Sequence, residues 1–349
     1  MQNTQPASTI ESLSTEDSQG ATKGSPDAAA TAAALPRLFK ALADPLRLDI
    51  LRVLRTESFG VQELCSIVDV RQPALSHHLK ILAMADLVST RREGNSIFYR
   101  RALLLDDDPL FAVREAAYSA LDQQPLNDLL TAGIKRIHDE RSEQSLLFFE
   151  RHAAVLPERQ ELVAEYGHYR NTLHDLLNGL KLPADALVLE VGPGESPLLA
   201  ELAQRFQHVT ALDTSAEMLS RARHALTARQ PSAAGQVEFI HGDTRLLVPL
   251  PQRYDLLIYN MVMHHIPSPG EAFADSARLL TPGGAMLLID LSRHDQDWVH
   301  DSCGDLWLGF TEKDLDTWAE AAGLQSGASV YLGLRNGFQV QMRVFTHDI

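Results

Sequence analysis

The sequence predicts a multidomain α/β protein in which a small winged helix-turn-helix domain, a helical linker and a Rossmann-like sheet follow one another. With 349 residues the chain exceeds what one hydrophobic core usually organises, so two or more domains are expected. A helix-turn-helix pattern followed by a hairpin pattern lies near the N-terminus. From residue 187 onward, apolar strand-like runs alternate with amphipathic segments, which is typical of a doubly wound sheet.

Charge is distributed unevenly along the chain. The net charge is −15, yet residues 35–101 carry 11 Lys and Arg against 7 Asp and Glu, a local net charge of +4. A basic module can bind phosphate although the rest of the protein is acidic, because salt screens charges beyond about 8 Å. The sequence contains no apolar run of membrane-spanning length and no signal peptide, so we expect a cytoplasmic protein without membrane contact.

Composition and turn residues predict four segments. Residues 1–34 are rich in Ser, Thr, Ala and Gln and predict a disordered tail. Residues 35–103 predict the winged helix, which begins with leucines at helical spacing. Residues 104–179 predict a helical linker that supplies a dimer interface and a lid, interrupted at Pro125 and Pro157. Residues 180–349 predict the sheet domain.

The sequence ALSHHLKIL, residues 74–82, predicts the recognition helix. Leu75, Leu79 and Leu82 form one apolar stripe. The polar side therefore faces the major groove, where hydroxyl, imidazole and ammonium groups can reach bases and phosphates, and it carries Ser76, His77 and Lys80.

A hairpin pattern follows the recognition helix and predicts the wing. Its two strands flank a tight Glu93-Gly94-Asn95 turn. Basic residues on these strands are expected to contact the DNA backbone or minor groove: Arg91, Arg92, Arg100 and Arg101.

Residues 35–103 resemble the ArsR-type winged-helix repressors, through LFKALADPLRLDILRVL, LSHHLKIL and LVSTRREGNSIFYR. The resemblance implies a double-stranded DNA operator and a homodimer, with the helix at Asp108–Leu121 as one side of the interface. A winged helix used only for protein contact is the alternative. Many such repressors sense metals through paired cysteines, but Cys65 has no neighbouring thiol and Cys303 lies far away. We therefore expect Cys65 to be a small buried residue and expect no metal site.

The sequence LEVGPGES, residues 189–196, predicts a strand, a glycine turn and a helix of the kind that holds nucleotides. Asp213 ends the next strand, where a carboxylate accepts both ribose hydroxyls. Asp243 ends the third strand and is placed to accept from an adenine amine. Polar groups repeated at successive strand ends indicate one ligand site far better than a single glycine motif does.

The order of these residues resembles class I S-adenosylmethionine-dependent methyltransferases over residues 180–349, including ARLLTPGGAMLLIDL and a C-terminal hairpin. The resemblance implies a seven-stranded sheet and S-adenosylmethionine or S-adenosylhomocysteine as the ligand. The methionine side would meet Glu190, Gly192 and Gly194; the ribose Asp213; and the adenine Asp243 and Thr244, with Asn260 at the fourth strand end as a further contact. Ser196 replaces a frequent third glycine, and the glycines alone would also suit NAD.

The sequence leaves the chemistry of this domain open. After the fourth strand comes MVMHHIPSP instead of the Asn-Pro-Pro-aromatic run of base methylases, which disfavours nucleic-acid methylation. His264 and His265 are candidates for a catalytic base, or else a structural pair. Cys303 alone does not suffice for arsenic methylation. Residues 148–170 and 303–310 are expected to be lids, with Tyr166, Tyr169 and Arg170 as possible substrate contacts.

Together the motifs favour a DNA-binding repressor whose methyltransferase-fold domain binds an adenosyl ligand as a signal, with methyl-cycle genes as targets. The alternative is an active small-molecule methyltransferase with an autoregulatory winged helix. A nucleic-acid-modifying enzyme guided by the winged helix is a third interpretation.

Overall fold

The computed structural model describes residues 26–94, 96–104, 107–233, 235–251 and 253–348. The N-terminal domain has the helix-turn-helix order, followed by a hairpin that pairs with a short first strand in the order β1-β3-β2. Its elements are α1 (Pro26–Leu42), α2 (Pro45–Val53), β1 (Phe59–Gly60), α3 (Val61–Val68), α4 (Gln72–Met84), β2 (Val88–Glu93) and β3 (Ser96–Arg101).

The recognition helix α4 has the predicted apolar stripe. Leu75, Leu79 and Leu82 are buried in the core of this domain. Pro73 lies in the first turn of the helix, where its missing N–H has no helical partner to lose. Cys65 of α3 is half-buried and packs against the same core, and burial raises the pKa of its thiol.

The predicted boundary of the N-terminal tail is wrong by part of a helix. Helix α1 begins at Pro26, within the segment that low aliphatic content marked as disordered. The alanines of residues 28–34 favour helix without contributing much apolar area, which explains the error. Residues 1–25 lie outside the described residues, as does Asn95 of the predicted wing turn.

Four helices connect the two domains: α5 (Phe111–Asp122), α6 (Asp128–His152), α7 (Leu156–Val163) and α8 (Tyr166–Gly179). Helix α6 has 25 residues and packs against α3 at Gly133, where an added Cβ would lie 2.9 Å from the Cα of Ile67. Within the described parts of the chain, no helix is both long and apolar enough to cross a bilayer.

The C-terminal domain is a seven-stranded sheet in the order β6-β5-β4-β7-β8-β10-β9, with β10 antiparallel to both of its neighbours. The strands are β4 (Leu187–Val191), β5 (His208–Asp213), β6 (Val237–His241), β7 (Tyr254–Asn260), β8 (Leu280–Leu291), β9 (Leu324–Gly333) and β10 (Gln339–His347). This confirms the predicted Rossmann-like sheet. The order reverses beside β4, the place where such sheets bind ligands at the carboxyl ends of their strands.

Helices cover both faces of this sheet: α9 (Leu198–Arg205), α10 (Ala216–Arg229), α11 (Thr244–Leu247), α12 (Pro269–Leu279), α13 (Trp298–Cys303) and α14 (Glu312–Ala322). Single turns of 3-10 helix occur at Pro231–Ala233 and Met263–His265. Each face has its own apolar core.

Candidate functional site

A cavity of about 820 Å³ opens at the carboxyl ends of the central strands, a volume within the range of small-molecule sites. The structure brings six of the seven predicted ligand contacts to its wall: Gly192, Gly194, Asp213, Asp243, Thr244 and Asn260. The seventh, Glu190, is fully buried at the end of β4, behind the wall. These residues therefore meet at one site, while which part of a ligand each contacts stays a prediction.

The glycine turn after β4 has a backbone conformation that residues with a Cβ adopt only rarely. Gly192 has φ 64° and Gly194 has φ 52°, both in the left-handed region. A Cβ on Gly192 would lie 2.3 Å from a methyl group of Val262, whereas one on Gly194 would meet no atom within 4 Å. The backbone at Gly194 is therefore open to the cavity, and a ligand can approach it closely.

Burial raises the pKa values of the two carboxyl groups at the ends of β4 and β5. Neither carboxylate oxygen of Glu190 has a hydrogen-bond partner among the described residues, and burial raises the pKa of Glu190 to about 8. Burial also raises the pKa of Asp213, to about 6, although its Oδ1 accepts a hydrogen bond of 2.8 Å from the N–H of Ser215. Asp213 is therefore ionised at neutral pH and can accept hydroxyl groups from a ligand.

Side chains at the ends of β6 and β7 make hydrogen bonds that fix their orientation. Asp243 caps α11 and forms an ion pair with Arg245. The hydroxyl of Thr244 donates to Asp275 over 2.8 Å. Asn260 accepts from the hydroxyl of Tyr169 over 3.1 Å. The cavity wall is therefore preorganised, which lowers the ordering cost of binding a ligand.

Segments predicted as lids cover this cavity. The residues that line it are Phe149 of α6, Tyr166 and Tyr169 of α8, Cys303 at the end of α13, and Asp305 just beyond α13. The expectation for Arg170 does not fit: its guanidinium pairs with Glu201 over 2.6 Å, and Arg170 is not among the residues that line the cavity. A nearby carboxylate on α9, invisible from sequence spacing, holds it there.

His264 and His265 both line the cavity and have opposite environments. The Nδ1 of His264 lies 2.8 Å from Asp290. Burial opposes charge on His264, but Asp290 and Asp305 outweigh it and raise its pKa to about 9. Burial and the neighbouring His264 lower the pKa of His265 well below its usual range. Of the two, only His265 is a neutral imidazole at pH 7.

The predicted DNA-facing side of α4 is accessible. Ser76, His77 and Lys80 are exposed, opposite the buried leucines. Arg92 on the wing is also exposed, and its Nε donates to the carbonyl of Gly94 over 2.8 Å. These four residues are therefore available to a DNA duplex, and their contacts with DNA stay a prediction.

The other three wing arginines contact protein groups in this structure, whereas the sequence predicts that they contact DNA. Arg91 is 8% exposed and contacts Glu93, Asp314 and the carbonyl of Gly309. Arg100 also pairs with Asp314. Arg101 contacts the carbonyl of Leu51 and the carboxylate of Asp122, within the winged helix and the adjoining α5. A count of positive charges cannot distinguish a phosphate contact from an internal ion pair.

Glu93 at the wing tip anchors the wing to the C-terminal domain. Its carboxylate pairs with Arg91 and with Arg293, the latter over 2.8 Å, and accepts the N–H of Leu308 over 2.7 Å. Phe98 of the wing packs edge-to-face on Trp307, with ring centroids 5.4 Å apart. Sequence reasoning missed this interface, because its partners lie about two hundred residues apart.

A second group of contacts joins the domains beside α6. The Nε2 of His138 lies 2.6 Å from Glu57 of the winged helix, and its Nδ1 lies 3.3 Å from Glu271 of α12. Arg141, one turn further, binds Glu63 and donates to the carbonyl of Pro267 over 3.0 Å. Burial opposes charge on His138, but the two carboxylates raise its pKa to about 9.

This pKa predicts that the protein loses stability in alkaline solution. An unfolded histidine titrates near 6.5, so the stabilisation from charged His138 is fully present below about pH 6.5 and is lost as pH rises through about 9. The urea concentration at the midpoint of unfolding should therefore decrease as the pH rises from 7 to 10 in the wild type. It should decrease less in His138→Gln. If the midpoint decreased equally with pH in the two proteins, the assignment of this effect to His138 would be wrong. His174→Gln, whose imidazole is more exposed, is the control.

Comparisons with known proteins agree with this architecture, a winged-helix regulator joined to a methyltransferase sheet. Residues 44–90 match the family model "Bacterial regulatory protein, arsR family", and residues 189–288 match "Methyltransferase domain". The biofilm growth-associated repressor of Agrobacterium fabrum is 43% identical over 82 residues, which cover 24% of this chain and 67% of the repressor. The chain belongs to the arsR family through its N-terminal domain and carries a methyltransferase domain after it.

The C-terminal domain is similar to proteins that are named methyltransferases. An uncharacterized methyltransferase of Mycobacterium tuberculosis (strain H37Rv) is 33% identical over 103 residues, 29% of this chain and 49% of that protein. The chain thus spans about half the length of this relative. The solved structure of magnesium protoporphyrin IX methyltransferase (ChlM) from Synechocystis PCC 6803 with bound SAH is 16% identical, with a TM-score of 0.47; the match covers 59% of this chain and 100% of that one.

Proposed function

We propose that this protein is a DNA-binding transcriptional repressor whose methyltransferase-fold domain binds S-adenosylmethionine or S-adenosylhomocysteine as a signal. It would act in the cytoplasm as a homodimer on a double-stranded operator. The adenosyl ligand makes genes of the methyl cycle the natural targets. The observation that carries the proposal is the position of residues 303–310, which contact both the cavity and the wing.

Residues 303–310 form one continuous segment between ligand cavity and DNA-binding domain. Cys303 and Asp305 at its start line the cavity. Leu308 and Gly309 at its end bind Glu93 and Arg91 of the wing. The backbone N–H groups of Leu306 and Trp307 both donate to the carbonyl of His264, on the cavity wall. A ligand that displaces this segment would therefore move the residues on which the wing is docked.

Such a ligand alters DNA affinity only if it binds more tightly to one of two states, in which the wing is either docked on residues 303–310 or released from them. DNA binding then alters the affinity for the ligand by the same factor. The docked wing holds Arg91 and Arg100 away from DNA, while the recognition helix stays exposed. We expect the two adenosyl ligands to act unequally, because only the methyl donor carries a positive charge at sulfur. A typical coupling of about 1–3 kcal/mol would change operator affinity about five- to 150-fold.

Gel-shift titration at fixed salt tests this function. Duplexes from the promoter region of the protein's own gene would be titrated with protein alone, with S-adenosylmethionine and with S-adenosylhomocysteine. We expect sequence-specific binding that the two ligands change unequally. His77→Ala should lose sequence preference while keeping its affinity for the ligand. Absence of specific binding would refute the repressor, and identical affinity under all three conditions would refute the ligand response.

The proposed homodimer places α5 in the interface, as the family resemblance implies. Helix α5 exposes small side chains at helical spacing, namely Ala112, Ala116 and Ala120, which allow close approach of a second helix. The exposed Phe39 of α1 adds apolar area beside the same domain. Two recognition helices related by a two-fold axis would match half-sites about 34 Å apart.

An active small-molecule methyltransferase is the second candidate, and His265 is the observation that favours it. Its Nδ1 lies 3.2 Å from the carbonyl of Gly304, and its buried Nε2 has no partner among the described residues. A neutral imidazole in a ligand cavity is suited to accept a proton from a nucleophile. Under this alternative the winged helix would regulate the protein's own synthesis.

A further inference from the structure

Three side chains on the cavity wall converge, and none of them is among the predicted contacts of the adenosyl ligand. His264, His265 and Asp305 each offer one donor atom, and these atoms lie within 4.8 Å of one another. All three residues are buried, at 4%, 6% and 3% exposure, and all three line the cavity. We propose that they bind one divalent transition-metal ion such as Zn²⁺, which reverses the expectation from sequence that the chain has no metal site.

The unsatisfied atoms of this cluster support the proposal. Neither oxygen of Asp305 has a hydrogen-bond partner among the described residues, and the same is true of the Nε2 of His265. Buried polar atoms without partners are rare, because each one costs free energy that a bound ion would recover. The Oδ1 of Asp305 lies 3.8 Å from the Nε2 of His264 and 3.8 Å from the Nδ1 of His265, which is also 3.2 Å from the carbonyl of Gly304. Donor atoms around a tetrahedral ion lie about 3.4 Å apart, so small side-chain movements suffice.

The surroundings of His264 are those of a metal ligand. Its Nδ1 lies 2.8 Å from Asp290, a fully buried carboxylate that also accepts the N–H of Leu291. A carboxylate that holds one nitrogen of a histidine turns the other nitrogen toward the ion and increases its basicity. Two imidazoles and one carboxylate suit a borderline ion such as Zn²⁺, and leave coordination positions open to a molecule in the cavity.

The second cluster of possible ligands lacks these features. Glu57, His138 and Glu271 also lie within ligand distance of one another. There, however, both ring nitrogens of the histidine face carboxylates, at 2.6 and 3.3 Å. Two hydrogen bonds leave the ring of His138 no nitrogen for a metal, whereas the Nε2 of His264 lies 3.8 Å from Asp305, beyond hydrogen-bond distance. This cluster therefore acts as an ion-paired contact between domains, and it supplies the matched control for the proposed site.

Metal titration of the full-length, chelator-treated protein tests the proposal. With Co²⁺ as the probe, we expect one ion per chain, visible absorption bands of low coordination number, and displacement by Zn²⁺. His265→Gln and Asp305→Asn should each weaken Co²⁺ binding by at least 100-fold, and Asp290→Asn by about 10- to 100-fold. His138→Gln should bind as the wild type does. Absence of saturable binding, or loss in His138→Gln alone, would overturn the site.

X-ray absorption of the zinc-loaded wild type keeps the test independent of whether the variants fold. We expect two imidazole nitrogens and one or more oxygens at about 2.0–2.2 Å. A shell that contains sulfur would place the ion on Cys303 or Cys65 and contradict the proposal, as would a shell made of oxygen alone. Neither measurement requires DNA or an adenosyl ligand, so failure here leaves the proposed function untouched.

Discussion

Replacing Asp213 by alanine should weaken the binding of S-adenosylhomocysteine by about 30- to 150-fold, a loss of about 2–3 kcal/mol. The carboxylate lies at the end of β5, on the cavity wall. Burial raises its pKa to about 6, so it is ionised at pH 7 and can accept both ribose hydroxyls. Affinity should also fall as pH drops below 6, because protonation removes the charged acceptor.

Isothermal titration with wild type, Asp213→Ala and Asp185→Ala would measure this effect. Asp185 is an exposed carboxylate just before β4, at the opposite edge of the sheet, and its replacement should leave the affinity unchanged. If Asp213→Ala bound the ligand as tightly as the wild type, the ribose assignment would be wrong. If the ligand failed to bind the wild type at all, the proposed signal would be wrong as well.

Replacing Glu93 by alanine should lower the free energy of unfolding by about 3–5 kcal/mol, the second large effect expected. Glu93 is 3% exposed and pairs with two arginines, so its loss removes one of the two carboxylates that pair with the buried Arg91 and the carboxylate that pairs with the partly buried Arg293. The N–H of Leu308 also loses its acceptor. The wing should therefore separate from residues 303–310, and the backbone amides of the wing should exchange with solvent faster.

Urea unfolding and hydrogen exchange over the wing would measure both consequences, with Arg92→Ala as the control. The Arg92 side chain is exposed, and its backbone carbonyl, which accepts from Arg293, survives the substitution. We expect a change within about 0.5 kcal/mol for this control. In gel shifts, Glu93→Ala should bind the operator with an affinity that no longer responds to the ligand. A retained response would mean that the signal travels by another route.

Much of the site could be predicted because its determinants are local or periodic. The leucine stripe of α4 follows from helical spacing, and the buried strands follow from short apolar runs. Parallel strands bring their carboxyl ends to one edge, so Gly192, Asp213 and Asn260 had to meet. The glycine positions also carry information of their own, because residues with a Cβ adopt such positive φ values only rarely.

The wing interface and the histidine–aspartate cluster depended on distant partners. Arg91 lies on a strand that the family pattern predicts to contact DNA. In this structure its guanidinium instead contacts Glu93, Asp314 and the carbonyl of Gly309. His264 and His265 acquire a third ligand from Asp305, forty residues further along the chain. In both cases the residue types were visible, but the pairing was not.

The sequence by itself determined the two domains, the strand ends that form the cavity and the exposed side of the recognition helix. Each of these follows from short-range geometry, in which neighbours along the chain constrain one another. The tertiary structure alone decided that the wing docks on residues 303–310 and that two histidines share a carboxylate. Charges act through space over distances set by folding, so a side chain's partner, and with it its role, is fixed only when the elements pack.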